Sequence, residues 1–135
     1  MEVNVNKRTL VLVAALVVNS IALSAHHSIT AIYDIDKLVP LAGVITRVST
    51  ANPHLTVDVK ETSPQGGETT WTIEMAPSGA LKLRGFDLRM LKAGLPVVIE
   101  SWLRKDGRYE ATGRTLVLDG KRFDVGDSVN WPGPK

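Results

Sequence analysis

His26, His27 and His54 are the residues of this chain best suited to chemistry, and they stand in two short motifs, Ala25-His26-His27-Ser28 and Asn52-Pro53-His54. Imidazole nitrogens and a free α-amine favour copper(II), which binds such donors more tightly than the other divalent first-row ions do. Proteolysis after Ala25 would make His26 the first residue and offer its amine and ring together, with His54 as a third nitrogen. Proteolysis after Ser24 would instead leave Ala25-His26-His27, whose amine, two deprotonated amides and third-position imidazole bind copper in a plane. The sequence leaves both cuts open. Zinc fits less well, because closed structural zinc sites want four ligands and the chain has no cysteine. Asp34 or Asp36 can join such a site, but nothing in their spacing requires it. A plainer reading stands beside this one. His54 then pins a turn by bonding a backbone carbonyl, and the histidine pair is only an unstructured start.

These histidines need a processed end and a corner to hold them. Lys7 and Arg8 precede an apolar run from Thr9 to Val18, and small residues follow at Ala22-Leu23-Ser24-Ala25. That is the grammar of a cleavable export signal over residues 1–25, directing the chain to the periplasm. Asn19 and Ser20 interrupt the run, leaving it short of the ~20 apolar residues that span a bilayer. An uncleaved segment here would be the chain's only attachment to a membrane. The mature domain, residues 26–126, would be followed by an extended tail, 127–135. The whole chain carries a formal charge of +2, and losing Glu2, Lys7 and Arg8 lowers it by one. Near-neutrality and 5% aromatic content argue against a nucleic-acid partner, which calls for a basic, aromatic-lined groove. The missing cysteine excludes a disulfide scaffold, a thiolate nucleophile and a thiolate metal site.

The mature chain reads as strands. Leu41–Val48 is rich in β-formers and follows Pro40. His54–Lys60 alternates, with Leu55, Val57 and Val59 on one face. Thr70–Met75 does the same with Trp71, Ile73 and Met75. Period-two alternation marks strands with one buried and one wet face. Pro64-Gln65-Gly66-Gly67 separates the second and third. Asp106-Gly107 divides Pro96–Arg104 from Tyr109–Leu118, and Asp119-Gly120 precedes Lys121–Val125. Asp-Gly suits two-residue hairpins, whose turn residues both take positive φ. Pro77–Gly85 breaks the rhythm as a short helix with Ser78 as the expected cap, and Asp87–Gly94 adds another turn or two. The expected fold is mainly β: a small OB-like β-barrel of five to six strands, with the helix between strands 3 and 4. A β-sandwich is the alternative, since alternation does not report closure.

Other constellations are weaker. Ser28 beside His27 lacks an orienting acid and an oxyanion-hole motif, so no catalytic residue is assigned. Asp34 and Asp36 read as edge solvation. Arg104–Arg108 reads as a solvated basic turn. Trp71 shares its face with Ile73 and Met75 and belongs to the core. Trp102 shares a face with Val98, Glu100 and Arg104, which makes it the better ligand-stacking platform.

Several of these segments also resemble one family of small exported bacterial proteins, classed as a domain of unknown function. They are Ala25-His26-His27-Ser28, Tyr33-Asp34, Leu41-Ala42-Gly43-Val44-Ile45, Asn52-Pro53-His54, Trp71, Pro77–Leu81 with Gly85, and Leu91–Gly94. Tyr33 stands where phenylalanine is expected. The resemblance implies an exported OB-like barrel and carries no activity. Two function classes follow: a non-catalytic periplasmic module that binds a small molecule, metal ion or envelope protein, and a copper protein for metal delivery or redox chemistry.

Overall fold

The computed structural model describes residues 28–51 and 54–127. His26, His27, the expected signal segment and the tail from residue 128 onward lie outside the described residues. The chain divides into two units by its internal contacts, Met1–Ala31 and Ile32–Lys135. The sheet and the core belong to the second.

A five-residue helix, α1 (Ser28–Ile32), leads into six strands: β1 (Tyr33–Ser49), β2 (Leu55–Thr62), β3 (Glu68–Met75), β4 (Pro96–Arg104), β5 (Glu110–Leu118) and β6 (Lys121–Asp124). A short helix, α2 (Ser78–Leu83), and a 3-10 turn at Leu88–Met90 stand between β3 and β4. The strands form one sheet in the order β3-β2-β1-β4-β5-β6, and β3 also pairs with β5. That last pairing is parallel, through Thr72–Glu110, Ile73–Ala111 and Glu74–Thr112. It closes β1-β2-β3-β5-β4 into a ring, the OB-like arrangement expected from the strand and helix order.

Closure needs strands that bend, and three register shifts supply the bends. One lies in β1 between Ile45 and Arg47, facing β2. A second lies between Tyr33 and Leu38, facing β4. The third leaves Arg114 as an extra residue in β5, since Glu100 faces Thr115 and Ser101 faces Gly113. β1 is longer than its sequence suggests because two different partners use it. Its first half pairs with β4, and β2 joins only from Val44 onward. Pro40 sits in the half with one partner strand, where its missing N–H loses no ladder bond.

The alternation predicts the core correctly. Leu55, Val57 and Val59 are buried, as are Ile73 and Met75, and Ile45, Ile99 and Leu116 meet them from the other strands. Leu81 from α2, with Phe86 and Leu91 after it, joins the same cluster. Two turn details differ from expectation. Pro77, not Ser78, occupies the helix cap, and no side chain caps it. The β4–β5 connection spans the residues between Arg104 and Glu110, with positive φ at Gly107 alone. Asp119-Gly120 behaves as expected, with φ of 50° and 73°.

Candidate functional site

His54 stands one residue before β2, so its ring reaches β3 on the outer face of the sheet. Its Nδ1 pairs with the Glu74 carboxylate, and its Nε2 lies 3.5 Å from Asp127 Oδ2. Glu74 is delivered by the alternation of β3: its neighbour Met75 is buried, so Glu74 faces out. Asp127 is delivered by a longer chain of contacts. The Val125 N–H donates to the carbonyl of Arg114, the bulged residue, at 3.1 Å, and the Ala76 N–H donates to Val125 O at 2.8 Å. Arg84 Nη1 then donates to Gly126 O at 2.7 Å. The segment after β6 is thereby laid across the end of β3, beside the His54 ring.

Arg84 can make that reach because α2 ends sharply. Gly85 has φ of +80°. Its N–H donates to Lys82 O at 3.0 Å, and the Phe86 N–H donates to Leu81 O at 3.0 Å. This paired pattern satisfies the last helical carbonyls and turns the chain out of the helix.

A second group of polar side chains adjoins the first. Tyr33 is matched to Arg104 across β1 and β4. Burial raises the Tyr33 phenol pKa, the negative charges of Glu74 and Glu110 push it further, and Arg104 opposes them. Arg104 Nη1 donates to Glu110 Oε2 at 3.1 Å, while its Nη2 donates to Asp106 Oδ2 at 2.6 Å. The hydrogen bonds from Arg104 hold the Asp106 carboxyl down to about 2, and bonds to Asp106 raise the Arg104 guanidinium in turn. The sequence Arg104–Arg108 is therefore a charge-matched loop in which Arg104 ties β4 to the start of β5.

Trp102 is half-buried, and register places it with respect to His54. Leu38 faces Trp102, Trp102 faces Thr112, Thr112 faces Glu74, and Glu74 faces Thr56. Trp102 and the Glu74 partner of His54 thus occupy one row across the parallel seam, two strand spacings or roughly 10 Å apart. Thr112, buried between them, separates the indole from the carboxylate.

Chemically, the two nitrogens of one imidazole point away from each other. Glu74 and Asp127 therefore address opposite edges of the ring and cannot share one ion with it. Among the described residues no group of three or more His, Asp or Glu side chains is arranged to hold a metal. What His54 offers is narrower: a nitrogen and a carboxylate oxygen as adjacent donors at Nε2, behind which Glu74 holds the ring. Glu74, Asp127, Tyr33 and Arg104 were not singled out for this site from sequence. The wet-face position of Glu74 was legible, but its pairing with His54 depends on a corner whose direction the alternation does not specify.

No curated protein and no solved structure matches the chain. One family model does match, over residues 13–114, and the family is described as one of unknown function.

Proposed function

The chain belongs to DUF6152, a family of unknown function, and from that premise we propose an exported periplasmic binding protein that takes one copper(II) ion at His54. The ion is completed by the amine and imidazole of a processed N-terminus beginning at His26. The observation that carries the reading is the orientation of the His54 ring. Its Nδ1 is engaged by Glu74, and Nε2 faces Asp127 Oδ2 across 3.5 Å. That spacing is long for a hydrogen bond. It leaves both atoms within reach of one ion, and they need close only to about 3 Å to take adjacent corners of the tetragonal geometry that copper(II) prefers. A carboxylate behind the second ring nitrogen fixes the tautomer and raises the basicity of the ligating one. The reading is of binding: both groups facing His54 are carboxylates, which can share an ion with the ring or orient it.

The test uses mature protein recovered from the periplasm, with its intact mass measured first. Copper(II) is then titrated and followed by electron paramagnetic resonance. One copper per chain is expected. His54→Ala should weaken binding at least tenfold and remove one nitrogen coupling. Glu74→Gln, which keeps an acceptor for Nδ1–H and removes the charge, should cost about 10- to 100-fold, the usual effect of losing an outer-shell partner. Unchanged binding in His54→Ala, with binding abolished in His27→Ala, would refute the shared site in favour of the Ala25-His26-His27 chelate. An intact mass that retains all 135 residues would remove the amine and with it the proposal.

A further inference from the structure

The inward stripe of the β2–β3 hairpin changes character toward its tip. Val59 and Ile73 are fully buried. Beyond them the same face carries Glu61 on β2 and Trp71 and Thr69 on β3, with Val59 opposite Trp71 and Glu61 opposite Thr69. β5 joins β3 only from Thr72, so this end of the hairpin extends past the parallel seam. Tyr109 flanks it from the β4–β5 connection, with its carbonyl accepting the Thr72 N–H at 3.0 Å.

Three side chains meet there. The rings of Trp71 and Tyr109 lie 5.2 Å apart at 85°, edge to face. The Trp71 Nε1–H donates to Glu61 Oε2 at 3.1 Å. Tyr109 is 60% exposed, so its ring borders solvent. Glu61 differs from its neighbours in charge matching. Asp58 is paired with Arg47, Glu68 with Lys60, Glu100 with Arg122 and Glu110 with Arg104. Among the described residues Glu61 forms no ion pair, and the donor it does have, an indole N–H, is neutral. Its carboxylate is half-buried with no cationic partner among those residues, and a charged group in such a place gains from a counter-ion.

A carboxylate against two perpendicular aromatic rings selects for one kind of ligand. A hard metal ion needs several oxygen donors, and this mouth presents one carboxylate. An alkylammonium ion is drawn both to a counter-charge and to aromatic faces, the latter more strongly when partly desolvated. We propose that the mouth formed by Glu61, Trp71 and Tyr109 binds a small organic ammonium ion. The positive charge lies against Glu61, and its alkyl groups lie against the two rings. Trp71 and Glu74 point to opposite faces of β3, so this site is separate from that of His54 and stands or falls without it.

The probe is choline chloride, titrated into the folded protein while the Trp71 indole N–H resonance, assigned with Trp71→Phe, is followed by NMR. A saturable shift is expected. Sodium chloride at matched ionic strength should not reproduce it, nor should 3,3-dimethyl-1-butanol, the uncharged isostere of choline. Glu61→Gln keeps an acceptor for the indole and should weaken binding at least tenfold, and Tyr109→Ala about fivefold. A shift matched by sodium chloride, or equal affinity for the neutral alcohol, would overturn the proposal on the unmodified protein alone. Unchanged choline affinity in Glu61→Gln would do the same.

Discussion

Replacing Gly43 by alanine should cost far more than the methyl group it adds. A Cβ at Gly43 would stand 2.3 Å from the Lys60 carbonyl oxygen, 2.8 Å from its carbon and 2.9 Å from Val59 Cγ1. Carbon and oxygen approach to about 3.3 Å in the closest favourable contacts between strands. The two backbones must therefore separate by about 1 Å. An inter-strand N···O distance of about 2.9 Å would then become about 3.9 Å, beyond hydrogen-bonding range. The damage falls where β2 first joins β1, at Val44–Lys60 and Ile45–Val59. Losing two ladder bonds at about 1 kcal/mol each, with disturbed packing around buried Ile45, puts the penalty at about 3 kcal/mol. For a domain near 100 residues this is a fall in melting temperature of about 12–20 °C. Gly79→Ala is the matched control. Its Cβ meets nothing within 4 Å, and Gly79 lies in α2, so about 0.5–1 kcal/mol of stabilisation is expected. Thermal unfolding followed by circular dichroism separates the two. A Gly43→Ala protein melting within 2 °C of the parent, on the scale just given, would refute the claim that backbone contact drives the choice of glycine.

Two further outcomes follow from the turns. Asp106 should titrate at about 2, and Arg104→Met should return it toward the ordinary value of about 3.9. Because the folded value is depressed, the Asp106–Arg104 contribution to stability is present above about pH 4 and is lost as the pH falls toward 2. Carboxyl-carbon NMR across pH 1.5–5 reads this directly, and a midpoint unmoved by Arg104→Met would count against the pairing. At the β5–β6 turn, Asp119 has φ of 50°. Asp119→Val should destabilise by about 1–2 kcal/mol, measured by urea unfolding, whereas Asp119→Gly should not.

Much of the fold was legible because burial in strands has a period of two. Leu55, Val57 and Val59, and Ile73 with Met75, could be placed inside without coordinates, and Asp119-Gly120 announced its own turn. Closure was harder to read. The parallel β3–β5 pairing joins strands whose sequences carry no mark of mutual register, and the first half of β1 hides its strand character behind Asp34, Asp36, Lys37 and Pro40. The short helix was visible through Gly85, but its start was not, since Ser78 sits inside the first turn and Pro77 supplies the boundary. At the candidate site, His54 was visible as a residue type. Its carboxylate partners were not, because Glu74 looked like any wet-face residue and Asp127 reaches the ring only through the hydrogen bonds of Val125 and Arg84. Trp71, which its alternation assigns to the core, packs against the buried cluster but is only partly buried, because β5 joins β3 only from Thr72 onward.

The seam between β3 and β5 has a consequence for the order of assembly. Glu110, Ala111 and Thr112 come late in the chain, yet they supply the only β5 backbone that meets β3. A chain cut before Glu110 retains four strands and most of the apolar side chains but has two open sheet margins, each a template for association with another copy. Folding must therefore wait for the last quarter of the polypeptide, and contacts of such long range make collapse slow compared with a helical chain of equal length.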